Sequence, residues 1–404
     1  MTRRAQPEPE PVRVVSDAER RARLGRRHGL APEHRFADIG TATSAMTAWH
    51  ATEEPSIHLA IGARVPGARV ADVDSALTVD RALVRQLSMR RTLFALDRRL
   101  LPAAIAGPGH RIAGSERRRL VREVGAAGVR ADPAGWLADV EAQVVSALHG
   151  QLLTSGQLRE QIPEVAGRVP VAVGTKWGQD VPLAPRVLTI LAADGRVARG
   201  PNAGHWRLAK PTWTAMSSWL GAEPLLPDEP TAYAQLVGSW LTTFGPGTEA
   251  DLVWWFGATK GAVRAALTIL GAVPVALEDG TLAWLHAGDI DPVGPTDPWA
   301  ALLPTLDPST MGWRGRDFYL HARDVPYVFD SVGNAAPTVW VDGRIVGGWT
   351  QDDEGHVTLM LRCALGDRQT ELVATEVARL EEFLEGRRVP TTYRGALLRG
   401  ARLP

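Results

Sequence analysis

The stretch His50-Ala51-Thr52-Glu53-Glu54-Pro55 holds the residues of this chain that are best suited to acid–base chemistry. The ordinary pKa of a histidine lies near neutrality, so His50 could position or deprotonate a water molecule. Thr52 could orient that water, and Glu53 and Glu54 are the nearest carboxylates. If the chain catalyses a reaction, we expect the site in this stretch, with His50 and Thr52 as the candidate catalytic residues.

The same stretch also has a purely structural interpretation. Thr52 is a good N-cap for a helix that begins near Glu53, and acidic residues are favourable in a first helical turn. His50 and Thr52 point to one side only if the backbone is extended, because residues two apart do not share a face of a helix. The flanking segments, Ile39 to Trp49 and Ile57 to Val65, are apolar and predicted to be helical. The residues alone leave both interpretations open.

Length and composition limit the class of protein. A chain of 404 residues is expected to form two to four domains. No apolar run reaches the roughly 18 residues of a membrane span, and the Arg-, Pro- and Glu-rich segment Met1 to Arg27 lacks the apolar core of a secretory signal. A single cysteine, Cys363, excludes an internal disulfide and a cysteine-based zinc site. We expect a cytoplasmic monomer whose N-terminal tail, residues 1–21, is disordered.

The charge balance does not by itself favour nucleic acid. Lys and Arg number 45 and Asp and Glu number 45, so the formal net charge is zero, whereas proteins that bind a phosphate backbone are usually basic. All the basic residues except Lys176, Lys210 and Lys260 are arginine. Arginine binds phosphate bidentately, although the same bias is expected from a GC-rich genome.

Three segments show the order of elements that is typical of a winged helix. In the first, a helix from Val70 to Leu77 and a second from Arg81 to Met89 precede a strand, Arg91 to Leu96. The basic helical stretch from Ser115 to Gly125 follows, with Arg117, Arg118, Arg119 and Arg122 either solvated or facing phosphates.

The second and third segments end in predicted hairpins. In the second segment, helices are predicted from Trp136 to His149, from Thr154 to Gln161 with Thr154-Ser155 as its cap, and from Leu183 to Ala193. They precede strands Arg196 to Arg199 and His205 to Leu208. In the third, helices from Tyr233 to Phe244, from Thr248 to Phe256 with Thr248 as its cap, and from Thr259 to Leu270 precede strands Val273 to Leu277 and Thr281 to Leu285. The predicted fold is α+β, with three tandem winged-helix units and a C-terminal β-rich region. The predicted domains are winged-helix units at 22–132, 133–223 and 224–290 and the β-rich region at 291–404.

Basic side chains at the predicted wings and in one glycine-containing loop are the candidate DNA contacts. For each of them the alternative is a solvated strand edge or an ion pair within the protein. They are Arg90, Arg91, Arg196, Arg199, His205, Arg207, Arg314 and Arg316. The histidines show no metal-site spacing, and the chain has neither a phosphate-cradling glycine loop nor a serine-nucleophile elbow, so no metal or cofactor is expected.

Five motifs, taken together and in order, resemble a known family. They begin at Leu24, His50, Leu87, Leu306 and Pro337, and they read LGRRHGL, HATEEP, LSMRRTL, LDPSTMGW and PTVWVDG. The chain resembles the winged-helix DNA-binding family of actinobacteria whose characterised members include DNA glycosylases. Those enzymes excise bulky alkylated bases, unhook interstrand crosslinks and, in some antibiotic producers such as those resistant to azinomycin, confer self-resistance.

The resemblance implies a C-shaped molecule of three winged helices that embraces double-stranded DNA. The glycosylases carry a glutamine, an apolar residue and then a glutamine or aspartate at the place aligned with His50-Ala51-Thr52, so this chain departs at both polar positions. The expected function is DNA binding with excision of alkylated bases. A non-catalytic regulator or lesion binder is the alternative, and an interaction scaffold that binds no nucleic acid is a third possibility.

Overall fold

The computed structural model describes residues 9–172, 176 and 178–400 and has a mixed α+β fold, which confirms the predicted class. Its contacts group the chain into two compact units, both discontinuous in sequence. Unit 1 comprises Met1–Thr47, His58–Val70 and Tyr233–Pro404, and unit 2 comprises Ala48–Ile57 and Ala71–Ala232. The three winged-helix units and their bounds remain a prediction.

Unit 2 includes Ala48–Ile57 and therefore the whole HATEEP stretch. Short sheets and helices alternate along it. Its α-helices are Val70–Thr78, Leu101–Ala104, His110–Ala126, Pro133–Leu148, Ser155–Gln161, Pro163–Ala166, Leu183–Ala193 and Met216–Leu220. Its strands are Trp49–His50, Leu83–Ser88, Thr92–Asp97, Leu153–Thr154, Arg168–Val171, Gln179–Pro182, Val197–Asn202 and Pro211–Ala215. A 3-10 turn, Met89–Arg91, and a π-helical turn, Ile105–Gly109, complete it.

The sheet that positions His50 has three antiparallel strands. Thr92–Asp97 lies in the centre, between Trp49–His50 and Leu83–Ser88. The amide of Gln86 fixes this sheet to the helix Leu183–Ala193, because its side-chain nitrogen Nε2 donates to the Ala192 carbonyl at 2.7 Å. A buried aliphatic cluster around Val140, Val187 and Leu191 forms the core beneath the helices. The short strand that carries His50 is therefore anchored through its neighbours.

Unit 1 combines helices with two further sheets. Its α-helices are Asp17–Arg27, Ile39–Ala45, Glu54–Gly62, Glu229–Phe244, Glu249–Phe256, Lys260–Ile269, Pro308–Met311, Val325–Val328 and Asp367–Leu384, of which Glu54–Gly62 and Glu229–Phe244 begin in unit 2. Its strands are Val14–Val15, Val273–Leu277, Leu282–Leu285, Ala300–Leu303, Thr338–Val341, Arg344–Gln351 and Val357–Leu361. The last four form an antiparallel sheet in chain order, and its core includes Val339, Trp349 and Val373. The 3-10 turns are Pro32–His34, Ala322–Asp324 and Leu397–Arg399.

The prediction of a disordered tail does not hold for residues 14–21. Val14–Val15 pairs in parallel with Val273–Leu277, and a helix begins at Asp17 after the N-cap Ser16. Arg23 on this helix is buried and bound to Glu19 at 2.8 Å and to Asp289 at 2.9 Å. The arginine-rich composition suggested solvent exposure, but carboxylates neutralise the buried guanidinium. Residues 1–8 lie outside the described part of the chain.

Two predicted elements of the wings are wrong. The segment Arg81 to Met89 was expected to be helical, but Leu83–Ser88 is a strand paired with Thr92–Asp97. Its leucines, arginine and glutamine favour a helix intrinsically, and strand pairing overrides that preference. His205 to Leu208 was expected to be a strand, but it is a turn, and the second strand begins at Pro211.

None of the helices in the described residues combines the length and the hydropathy that a bilayer span requires.

Candidate active site

His50 is held in a buried position on the short strand of unit 2. It lies opposite Phe94 in the strand register, and the two rings are 4.6 Å apart between centroids. The next residue continues the extended backbone, because the Ala51 amide donates to the Leu93 carbonyl at 2.9 Å. The side chain of His50 is only 5% exposed. The strand pairing therefore fixes the imidazole in orientation and keeps bulk solvent away from it.

The two ring nitrogens of His50 have no hydrogen-bond partner among the described residues. Burial, helped by the positive charge of Arg90, lowers the pKa of His50 to about 3, so the ring is neutral at physiological pH. Each buried polar atom without a partner costs about 1–3 kcal/mol. A neutral imidazole has one acceptor and one donor nitrogen, so this ring has the chemistry needed to hold and orient a water molecule.

A strained turn brings the charge of Arg90 to His50. Arg90 and Arg91 occupy the left-handed region, with φ angles of 55° and 58°, at the tip between Leu83–Ser88 and Thr92–Asp97. Left-handed backbone costs a residue other than glycine roughly 1–2 kcal/mol. Arg91 is half exposed, and its Nε lies 3.3 Å from a carboxylate oxygen of Glu116. Of the two arginines predicted at this wing, Arg90 is close enough for its charge to lower the pKa of His50, and Arg91 is half exposed beside Glu116.

Glu54 forms a second buried polar group close to His50 in sequence. It is the first residue of the helix Glu54–Gly62, where the helix dipole favours a carboxylate. Its carboxylate accepts from Asn202 Nδ2 at 2.9 Å and from an Arg85 guanidinium nitrogen at 3.3 Å. These bonds fasten the end of the HATEEP stretch to two strands, Leu83–Ser88 and Val197–Asn202.

Arg199 adds a second guanidinium beside this carboxylate. Burial lowers the pKa of Arg199, the charge of Arg85 lowers it further, and the charge of Glu54 opposes both. The Arg199 guanidinium carbon lies 5.1 Å from the centre of the Trp213 ring, a cation–π distance. With two guanidinium groups and one carboxylate, the cluster of Glu54, Arg85 and Arg199 carries a formal charge of about +1.

Thr52 lies on an exposed bend between the strand and the helix. The helix begins at Glu54, one residue after the predicted start. The residue directly before the helix is therefore Glu53, and not Thr52 as predicted for the N-cap. The chain is not helical between His50 and Thr52. A non-helical backbone is what the two side chains need if they are to act on the same water molecule. The catalytic assignment of Thr52 stays a prediction.

The predicted contacts on the second wing are partly occupied by other protein groups. Arg196 lies 3.1 Å from a carboxylate oxygen of Glu141. His205 Nδ1 accepts from the Arg207 Nε at 3.1 Å, so these two residues form a local pair in the turn. Around them, Ala203, Gly204 and Leu208 are exposed. The tip of this hairpin is accessible, but Arg196 is committed to an ion pair.

Arg314 and Arg316 belong to unit 1. Arg314 is exposed, and its backbone amide donates to Asp251 Oδ1 at 2.8 Å. Arg316 is half-buried between aromatic rings, 4.0 Å from the centre of Phe329 and 5.5 Å from that of Trp254. Only Arg314 presents its side chain freely to solvent, so the two arginines are not equivalent.

Sequence reasoning missed Arg85 and Asn202, which complete the Glu54 cluster. Arg85 was assigned to a helix, and only the strand register places it beside Glu54. Asn202 was taken for a loop residue, but it ends the strand Val197–Asn202. Within the described residues, no three His, Cys, Asp or Glu side chains come together as a metal site would require.

Comparison with known proteins identifies the family. The sequence profile of the DNA glycosylase AlkZ-like family matches residues 43–383, most of the chain. The solved structure of the Streptomyces sahachiroi DNA glycosylase AlkZ is similar in fold, with a TM-score of 0.72, 19% identity, and coverage of 93% of this chain and 98% of that one. No curated protein sequence gives a significant match. The chain belongs to the AlkZ-like DNA glycosylase family.

Proposed function

We propose that this protein is a monofunctional DNA glycosylase that releases bulky N-alkylated purines, or unhooks crosslinks made through them, in double-stranded DNA. The observation that carries the proposal is the neutral, buried imidazole of His50 with two hydrogen-bonding nitrogens that no described residue uses. Family membership supplies the reaction type. The crosslink class is proposed from the resemblance of the motifs.

The reaction needs little basicity from His50. A purine alkylated at N7 or N3 carries a positive charge, so the C1′–N bond breaks with its electron pair leaving on a base that becomes neutral. The sugar is left as an oxocarbenium-like centre. A water oxygen then bonds to C1′, and its proton passes to the imidazole or to solvent. Because bond breaking leads and water attack follows, an imidazole with a pKa of about 3 can orient the water and accept its proton late.

Glu54 serves as a positioning residue in this scheme. Its bonds to Asn202 and Arg85 hold the turn that follows His50, so the direction of the imidazole is fixed from both ends of the stretch. Thr52, on the exposed bend, is proposed to orient the same water or the sugar. Charge stabilisation by groups fixed in advance is usually the largest contribution to such catalysis.

Binding to the duplex is proposed to use the wings of three winged-helix units, at 22–132, 133–223 and 224–290, with the protein acting as a monomer in the cytoplasm. The accessible basic groups among the predicted contacts, Arg91, Arg207 and Arg314, are candidates for phosphate contacts. Arg90 and Arg199, which are half-buried near the candidate site, are candidates for contacts beside the lesion.

The first prediction tests His50 directly. His50→Ala should slow base release from a duplex containing a bulky N7-alkylguanine by roughly 100-fold, the usual effect of losing a positioned acid–base group. His50→Gln restores the glutamine of the resembling glycosylases and should stay within about 10-fold of wild type. Release is measured under single-turnover conditions as cleavage at the abasic site, with DNA affinity measured in parallel.

The departure of His50 and Thr52 from the glycosylase motif favours a second candidate, a non-catalytic lesion-binding protein. Wild-type protein that binds DNA but releases nothing from a panel of bulky N-alkylated purines would establish that alternative. If base is released and His50→Ala is as fast as wild type, the His50 assignment is wrong, and Glu54 is the next residue to replace.

A further inference from the structure

The arginines of the helix His110–Ala126 in unit 2 fall into two groups, those with an ion-pair partner in the described part of the chain and those without one. Arg117 is bound to Glu141 at 2.7 Å and to Asp194 at 2.6 Å, and Arg119 is bound to Glu123 at 2.9 Å. Arg111, Arg118 and Arg122 are exposed, and none of them has an ion-pair partner among the described residues. We call Arg111, Arg118 and Arg122 the arginine stripe.

Helical geometry puts the three residues of the arginine stripe on one face. At 100° per residue, they lie within about 40° of each other, whereas Arg117 and Arg119 lie about 100° to either side of Arg118. The carboxylates of the helix, Glu116 and Glu123, lie on the far side, roughly 140–160° from Arg118. They are occupied there by Arg91 and by Arg119 and Arg186. The stripe therefore has no negative charge on its own face, which distinguishes it from an ordinary solvated face of mixed sign.

An open groove of about 460 Å³ lies beside the arginine stripe, lined in part by Arg111 and Arg118. Ala106, Gly107 and Gly114 also line it, and these small residues leave room for a ligand to approach the backbone. His110 and Pro227 contribute to the lining, and Glu229 supplies its one carboxylate. The Arg118 guanidinium lies over Gly114, 3.4 Å from where a β carbon would stand.

We propose that the arginine stripe and its groove bind the phosphodiester backbone of duplex DNA, away from the lesion. Arg111 and Arg122 are separated by about 16 Å along the helix axis, at 1.5 Å per residue. Phosphates of one strand follow each other at 3.4 Å along a DNA axis, so the stripe spans about five phosphates. The choice of DNA as the partner rests on the proposed glycosylase function, and the selection of this surface rests on the contacts described above.

The experiment compares the salt dependence of binding to an unmodified duplex of about 20 base pairs. Wild-type protein should give a slope of log affinity against log salt of about −4 to −7 between about 50 and 200 mM salt. Replacing the stripe as R111Q/R118Q/R122Q should weaken binding roughly 10-fold or more and should reduce the magnitude of the slope by about 2 to 3.

Arg119→Gln is the matched control, because it removes an exposed charge from the same helix while Glu123 keeps Arg186 as a partner. It should change the slope by less than about 0.5. Glu229→Gln should act in the opposite direction and strengthen binding about twofold, since it removes the carboxylate of the groove. Circular dichroism melts of every variant establish that each is folded, and R118Q alone replaces the triple variant if that one is not.

The outcomes separate the two proposals. If wild-type protein does not bind the duplex even at low salt, the proposed function and this surface are both wrong. If wild-type protein binds but the stripe variant and Arg119→Gln have equal slopes, only the arginine stripe is wrong. A reduced slope in the stripe variant together with a wild-type slope in Arg119→Gln supports the surface.

Discussion

Two buried histidines, one in each unit, have opposite hydrogen-bond environments. His28 in unit 1 has both ring nitrogens bound, Nδ1 to the Ser309 hydroxyl at 2.7 Å and Nε2 to the Thr243 carbonyl at 3.2 Å. It also stacks on Trp313 with ring centroids 5.8 Å apart. His50 in unit 2 is packed against Phe94 but has neither nitrogen bound to a described residue.

The difference separates a structural histidine from a candidate catalytic one. Around His28, the Arg64 guanidinium donates to the same Ser309 hydroxyl at 2.8 Å and is itself paired with Asp307 at 2.7 Å. Every strong donor and acceptor of that ring is used, so it has nothing to offer a ligand. A buried imidazole whose nitrogens make no hydrogen bonds destabilises the fold unless a water molecule or a ligand binds those nitrogens. Burial alone does not identify a site, but burial without hydrogen-bond partners does suggest one.

Replacing the two histidines should produce the largest contrast. His28→Ala should lower the free energy of unfolding by about 4 kcal/mol, because it opens an aromatic-sized cavity and leaves Ser309 without its acceptor. His50→Ala also opens a cavity beside Phe94, but it removes two buried ring nitrogens that have no partner among the described residues, so the two effects oppose each other and that free energy should fall by only about 1–2 kcal/mol. Urea unfolding followed by tryptophan fluorescence measures both. Equal destabilisation by the two substitutions would show that His50 is as structural as His28.

Lowering the pH should also destabilise the protein, because the imidazoles of both His28 and His50 resist protonation in the folded state. The effect should be smaller than that of His28→Ala. Burial lowers the pKa of His28 well below 6.5 and that of His50 to about 3. Below pH 6.5 the unfolded chain therefore binds more protons than the folded one, and stability is lost as the pH falls from about 6.5 toward 3. At pH 5 the loss through His50 is about 2 kcal/mol, and His28 adds a loss in the same direction.

His50→Gln tests this linkage, because glutamine does not titrate. It should remove about 2 kcal/mol of the difference in unfolding free energy between pH 7 and pH 5. His321→Gln, at an exposed histidine, is the control and should leave that difference unchanged. A difference that His50→Gln does not alter would mean that the His50 imidazole is accessible to protons in the folded state.

Thr52→Ala should have the smallest effect. A hydroxyl that only orients water contributes about one net hydrogen bond, so base release should fall about fivefold. Because Thr52 is exposed, the free energy of unfolding should change by less than about 0.5 kcal/mol. The test compares the single-turnover rate of base release by Thr52→Ala with that of the wild type. An unchanged rate would leave His50 as the sole member of the predicted pair with a role.

Local signals in the sequence were sufficient for many of the helices. Thr154 and Thr248 were predicted as caps, and each makes a capping box at the start of its helix. The helix Leu183–Ala193 was predicted with the correct bounds. Such ends depend on a few neighbouring residues, so they can be identified without knowledge of the rest of the fold.

The surroundings of the candidate site residues depend on tertiary contacts, and these could not be predicted from the sequence. His50 was identified by residue type, but its environment depends on Phe94 and Arg90, which are 40 or more residues away in sequence. The Glu54 cluster escaped prediction because Arg85 lies on a strand whose residues favour a helix. Likewise, the arginines from 117 to 122 differ in whether a carboxylate reaches them: Arg117 is bound by Glu141 and Asp194 of other elements, and Arg119 by Glu123 of its own helix.

The pairing of Val14–Val15 with Val273–Leu277 has a consequence for the order of synthesis. Val15 and its partner Leu277 are about 260 residues apart, so at roughly 5–20 residues per second the ribosome needs about 13–50 seconds to produce the second after the first. The N-terminal strand must remain unpaired for that time, while all of unit 2, which ends at Ala232, emerges before it. Val14 and Val15 are therefore among the last residues to reach their native partners, although they are synthesised early.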